Sequence, residues 1–327
     1  MNFRYPIHFV HRGLKSWPEL VDGATLLDPE QCPERFINGA DCWTIQTYLH
    51  LKRRGNPVKL VPEFAPGEIN FVHYDDLLLK SRPDRAFVVG VQPDRPRPGA
   101  VDFRVVQNKL QVQTKNDHYM VFWPQPGLRV RETQRGNRIE RLGYLGLAIY
   151  LGEQFRNDAF KKRLAELGME LVIRENAWTD CTDLDAILAV RQVSDFDLSI
   201  KPPSKLVNAW RAGMPALLGV EPAYEQLRLS PLDYFQIRTP DDAIAALRRL
   251  RDEAGLREQM IENGRKRCAE FSTDSLAARW ESLFSGPVTD AYERWKREFA
   301  PLRLVRFGFR ALEHKRQRRK FFRLIKT

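Results

Sequence analysis

The stretch from Lys201 to Glu221, KPPSKLVNAWRAGMPALLGVE, constrains the fold of this chain more than any other. Pro202 and Pro203 exclude a helix interior but suit the approach to a first turn. Ser204 is a good N-cap for a helix over the next residues. Leu206, Val207, Trp210 and Met214 recur at helical spacing. Gly213 fits the left-handed position that ends a helix, and Pro215 prevents its continuation. Ala216 to Leu218 then form a short buried strand that stops at Gly219.

The chemistry sits at the edges of this unit. A helix start presents unpaired N–H groups and partial positive charge, which suit a phosphate. Lys201 and Lys205 add full charges on either side of it. Asn208 lies one turn further on and Glu221 comes after the strand, and both can hydrogen-bond hydroxyl groups. Phosphate-binding cations with hydroxyl-binding groups behind them fit a nucleotide sugar; the competing reading of a basic helix start is a solvated surface turn.

Pro203-Ser204-Lys205-Leu206, followed by Asn208-Ala209 and Ala212-Gly213-Met214-Pro215, resembles the donor-site segment of GT-B glycosyltransferases. In the large retaining family of that fold (glycosyl transferases group 1, family 4-like) a Lys of this segment contacts the donor diphosphate and a Glu binds the ribose hydroxyls. Ser204, Lys205, Ala212, Gly213 and Pro215 match, whereas Asn208 stands where the Glu is expected. The resemblance is strong over residues 139–285 and architectural over the amino-terminal half. It implies an α/β chain of two Rossmann-like domains facing each other across a cleft. It also implies a nucleoside diphosphate sugar as donor, a glycan or lipid-linked glycan as acceptor, and neither cofactor nor metal.

Short apolar runs elsewhere agree with an α/β chain. Ile7–Val10, Val58–Val61, Ile69–His73, Ala86–Val91, Phe103–Val106 and Tyr119–Trp123 read as strands, separated by helical or irregular segments. Residues 13–38 read as an irregular insertion. Pro124-Gln125-Pro126-Gly127 breaks the pattern, and the polar run after it reads as a linker. The expected division is residues 1–128 as an acceptor-side domain, 129–138 as a linker, 139–285 as the donor-binding domain and 286–327 as a helical basic tail.

The net charge of +11 belongs mostly to that tail: residues 303–327 hold ten Lys or Arg and one acid, Glu313. A near-neutral body with a basic end points to an anionic membrane surface, where nucleic acid would call for a basic body. The alternative is a terminal helix packed on the first domain with a solvated basic face. No apolar run approaches the ~20 residues that cross a bilayer, and the first residues carry no secretory core. The expected location is therefore cytoplasmic, peripheral at the inner membrane face. Cys32, Cys42, Cys181 and Cys268 form no Cys-x-x-Cys pair and read as reduced thiols.

The remaining candidates carry alternatives. Arg191 ends a strand and either grips phosphate or pairs with Asp195 or Asp197. Gly146, with Gly143, either lets backbone approach a ligand or serves packing. Glu221 competes with Glu225 for the hydroxyl-binding role. Asp41 reads as an acceptor-side residue or a helix N-cap. His73 ends a strand, as a base of an inverting enzyme or as a structural histidine. Under the retaining resemblance no dedicated base is needed, because the leaving phosphate takes the acceptor proton. The rival function is a degenerate GT-B scaffold that binds nucleotide, or a membrane, without transfer.

Overall fold

A computed structural model describes residues 3–21, 23 and 25–324; the end of the expected basic tail, residues 325–327, lies outside the described residues. The chain separates into two units, Met1–Trp123 with Thr273–Thr327, and Pro124–Ser272.

The first unit is built on a six-stranded parallel sheet: β1 (Ile7–Val10), β2 (Val58–Val61), β3 (Ile69–His73), β4 (Phe87–Gln92), β5 (Phe103–Val106) and β6 (Asp117–Tyr119), in the order β2-β1-β3-β4-β5-β6. Among the described residues its one inter-strand α-helix is α1 (Gln46–Arg53), entered through a wide π turn at Asp41–Ile45. A parallel sheet must be covered on both faces, and side chains alternate between them. Val10, Val72 and Val88 face one way, onto Phe64, Leu77 and Val101 from the loops. Phe9 and Phe71, paired in register at 5.0 Å, face the other way.

The second unit holds a five-stranded parallel sheet of order β11-β10-β9-β7-β8: β7 (Arg141–Leu145), β8 (Glu170–Arg174), β9 (Ala186–Ala189), β10 (Ala216–Leu218) and β11 (Phe235–Gln236). Its helices are α2 (Asp158–Ala165), α3 (Asp195–Ile200), α4 (Ser204–Arg211), α5 (Pro222–Glu225), α6 (Pro240–Asp252) and α7 (Leu256–Cys268). α4 ends as its sequence dictates. Gly213 takes φ 70°, its N–H bonds Trp210 O, and Met214 N bonds Ala209 O, which satisfies the last carbonyls. Residues 129–138, expected as a linker, are part of this unit. The reason is Asp185, fully buried, which accepts from Arg131 and Arg135 at 2.8 Å each and from the backbone N–H of Glu140 and Arg141.

The chain then returns to the first unit with α8 (Thr273–Leu283), a π turn at Phe284–Val288, α9 (Thr289–Arg297) and α10 (Ala300–Leu324). Residues 273–285, expected in the donor domain, belong here instead. Trp280 and Phe284 pack edge-on against Phe71, at 5.4 and 5.9 Å, and Tyr292 packs against Phe87 at 5.6 Å. They supply the helical layer that the short connections of this sheet do not.

Candidate functional site

In the second unit, four of the sequence candidates meet beyond the carboxyl ends of β7, β9 and β10, where ligands bind in open α/β sheets. Lys205, in the first turn of α4, donates to the carbonyl of Leu145 at the end of β7, and its ammonium lies 4.9 Å from the Tyr144 ring centroid. Gly146 comes next at φ 150°, a conformation side chains rarely adopt, and a Cβ there would come within 3.2 Å of Lys205 Nζ. Arg191, just past β9, donates to Glu221, just past β10, and its guanidinium lies 5.7 Å from the Tyr224 ring centroid. Glu221 is thus a partner of Arg191 that the sequence reading did not offer. Glu225, the competitor of Glu221, is exposed and bonds Gln236 at 3.0 Å.

The electrostatics of this cluster are poised for an anion. Burial pushes the Lys205 ammonium down to about 7; Arg191 adds to the effect and Glu221 opposes it. Burial raises the Glu221 carboxyl above its usual range, against the pull of Arg191 and Lys205. Lys201 acts on both groups electrostatically. Three cations thus surround one carboxylate. A diphosphate brought here gives Lys205 the counter-charge it lacks. Glu221 Oε1, Asn208 Oδ1 and the Tyr224 hydroxyl are buried without hydrogen-bond partners, and such orphaned polar atoms commonly await a ligand or water. Ser204 is not the N-cap its sequence suggests: the helix begins at Ser204 itself, the cap position falls to Pro203, and no side chain caps the turn.

The first unit gathers a second cluster, at the carboxyl ends of β1 and β3. Asp41 is buried and does not cap a helix. Its Oδ1 accepts from His11 Nε2 at 3.0 Å and from Trp17 Nε1 at 3.2 Å, and its Oδ2 accepts from Asn38. A carboxylate only accepts, so a neutral His11 ring has its proton on Nε2 and its lone pair on Nδ1. That Nδ1 is buried without a partner. His73 has the opposite arrangement: Nδ1 accepts from the Asp75 N–H at 3.2 Å, so the neutral ring's proton sits on Nε2. Burial pushes His73 down to about 4, which keeps it neutral. A Cβ on Gly39 would lie 2.7 Å from His73 Nε2, so any side chain at residue 39 would have to displace that ring. Sequence reasoning finds Asp41 and His73 and misses His11. A signal exists, since His11 directly succeeds β1 as Arg191 closely succeeds β9.

The fold is that of the GT-B glycosyltransferases. HepE of Anabaena, solved with UDP and glucose, superposes with TM-score 0.51 at 11% identity, over 86% of this chain and 100% of HepE. TarM matches at TM-score 0.47 and 9% identity, over 66% of this chain and 54% of TarM. The pneumococcal O-GlcNAc transferase GtfA, solved with UDP and GlcNAc, matches at 0.45 and 13%, over 67% of this chain and 57% of GtfA. The chain thus spans little more than half the length of TarM and GtfA. No protein-family model and no curated protein sequence matches it.

Proposed function

We propose that this protein transfers a sugar from a nucleoside diphosphate sugar to a hydroxyl of a glycan or lipid-linked glycan, at the cytoplasmic face of a membrane. The observation that carries the reading is the convergence of Lys205, Gly146, Arg191 and Glu221 at one end of the second sheet. In the reaction the bond from the sugar's anomeric carbon to the diphosphate breaks and one to the acceptor oxygen forms. Negative charge collects on the departing diphosphate, and neutralising it is the main electrostatic task. Lys205 and Arg191, with Lys201 nearby, do this without a divalent metal, so a chelator leaves the rate unchanged. Asn208 and Glu221 hold ribose or sugar hydroxyls. The acceptor proton goes either to the leaving phosphate or to His11, whose imidazolium Asp41 would stabilise. HepE is solved with UDP-glucose as well as with UDP, and the shared fold supports a donor of that class.

The test is a panel of nucleotide sugars offered to the purified protein and to Lys205→Ala. Nucleotide binding and donor turnover that fall by about a hundred-fold in the variant support the role. Unchanged turnover refutes it. Asn208 in place of the expected Glu favours a second reading, a scaffold that binds nucleotide and transfers nothing; calorimetric binding of UDP or GDP with no sugar product from any donor identifies it.

A further inference from the structure

Helix α10 has two faces, and the packing of one fixes where the other points. Arg303, Phe307, Arg310, His314, Gln317 and Phe321, spaced alternately four and three residues apart, are the turned-in positions. Arg310 pairs with Asp102, His314 lies against Gly99 with its ring centroid 5.3 Å from that of Tyr74, and Phe321 is buried. This much is the packed-helix alternative from the sequence. It accounts for only one side.

The opposite side carries the same spacing in different chemistry. Leu302, Val305, Phe309 and Leu312 are 51%, 58%, 71% and 64% exposed and form one stripe. The stripe continues without a break as Arg316, Arg319 and Arg323, all exposed, and it contains no acid. The helix's one carboxylate, Glu313, sits to the side and touches Arg316 only at 3.9 Å. A solvated face has no use for four consecutive large apolar positions, and α10 is too cationic to cross a bilayer: no described helix is long and apolar enough to do so.

We infer that the outer stripe of α10 is a docking surface for an anionic bilayer. Leu302, Val305, Phe309 and Leu312 enter the boundary between headgroups and acyl chains, and Arg316, Arg319 and Arg323 lie on lipid phosphates. Charge complementarity selects this partner: the apolar half alone would suit any apolar surface, but its continuation in arginine calls for a negatively charged one. The inference deepens the membrane part of the proposed function. It does not depend on the donor site.

The experiment is flotation of the whole protein with vesicles of phosphatidylcholine, alone or mixed with phosphatidylglycerol. Binding is expected to the anionic vesicles only, and to weaken with salt. Phe309→Asp with Leu312→Asp should weaken it by at least about ten-fold, and Arg316→Glu, Arg319→Glu and Arg323→Glu together by on the order of a hundred-fold. Circular dichroism and UDP affinity, both unchanged, show that the variants remain folded. Three results overturn the inference: no binding to anionic vesicles, equal binding by the stripe variants, or a protein dimer that Leu312→Asp dissolves while vesicles are ignored. Tight binding to RNA without binding to vesicles overturns it as well. Absence of UDP binding alongside intact flotation would defeat the glycosyltransferase reading and leave this one standing.

Discussion

Arg191 and Glu221 form an ion pair whose side chains are only 9% and 2% exposed. So deep a pair has two consequences. Removing one partner takes a buried counter-charge from the other, which costs about 3–5 kcal/mol. Replacing both with apolar groups removes charge and counter-charge together. Arg191→Met and Glu221→Leu should each lower the urea midpoint strongly, and the double variant should be more stable than either. Additive losses would show that the two residues do not act as a unit. Nucleotide binding should fail in all three variants, the double one included, which separates the stability role of the pair from its ligand role.

Lys205 makes donor binding pH-dependent in a defined direction. Its folded-state value, lowered from 10.5 to about 7 by burial, means that the folded protein binds this proton less well than the unfolded chain does. The destabilisation is complete below pH 7 and is relieved as pH rises from about 7 towards 10.5. A bound diphosphate reverses the preference by favouring the ammonium. UDP affinity should therefore decline above pH 7, by up to about ten-fold per pH unit, with uptake of protons measurable by calorimetry in buffers of different ionisation enthalpy. Lys205→Met should bind weakly and show a flat profile. It should also be more stable than the parent at pH 6, a gain that shrinks by pH 9. A wild-type profile that is flat from pH 6 to 9 removes the assigned role.

Much of this site is legible in the sequence because its signals are local. The proline approach, the apolar spacing of α4 and the Gly213 stop lie within a dozen residues, and the structure reproduces them. What the sequence conceals depends on long-range partners. Arg131 and Arg135 look like linker residues until Asp185, some fifty positions later, buries them. Trp280 and Phe284 look like the end of the donor domain because nothing local says that the first sheet lacks its own helices. Asp41 resembles an N-cap because a capping residue and a buried acceptor of three side-chain donors read alike in one dimension. His11 escapes notice because the strand before it is only four residues long and the partner that orients it lies across an irregular insertion.

The His11–Asp41 pair separates the two routes for the acceptor proton. If Nδ1 of His11 is the base, His11→Asn should lower the transfer rate by about a hundred- to ten-thousand-fold, with UDP affinity unchanged. Asp41→Asn should do nearly as much, because the amide no longer holds the tautomer with its lone pair on Nδ1. If the leaving phosphate takes the proton, both variants should retain most of the rate. The configuration of the sugar in the product, read by NMR, gives an independent check: inversion agrees with His11 as base, and retention with the phosphate.

Gly99 holds α10 against the first unit. A Cβ at this position would stand 2.5 Å from the His314 backbone nitrogen and 2.8 Å from the Arg310 carbonyl, and a helix backbone cannot yield as a flexible side chain can. Gly99→Val should therefore lift the helix at a cost of about 1–3 kcal/mol. Arg310→Ala should loosen the same contact by a different route, through the carboxylate it leaves behind. Burial already raises the Asp102 carboxyl and Arg310 opposes that rise, so the variant must either bury an unpaired charge or protonate Asp102. A raised folded-state value means the folded protein holds the proton more tightly than the unfolded chain, so the deficit of Arg310→Ala should shrink as pH falls and Asp102 becomes neutral. Hydrogen exchange provides the readout: amides of residues 307–321 should exchange faster in both variants while those of β3 and β4 do not change. Unchanged exchange in α10 would mean that Gly99 and Arg310 do not hold this helix, and that the orientation of its outer stripe is set elsewhere.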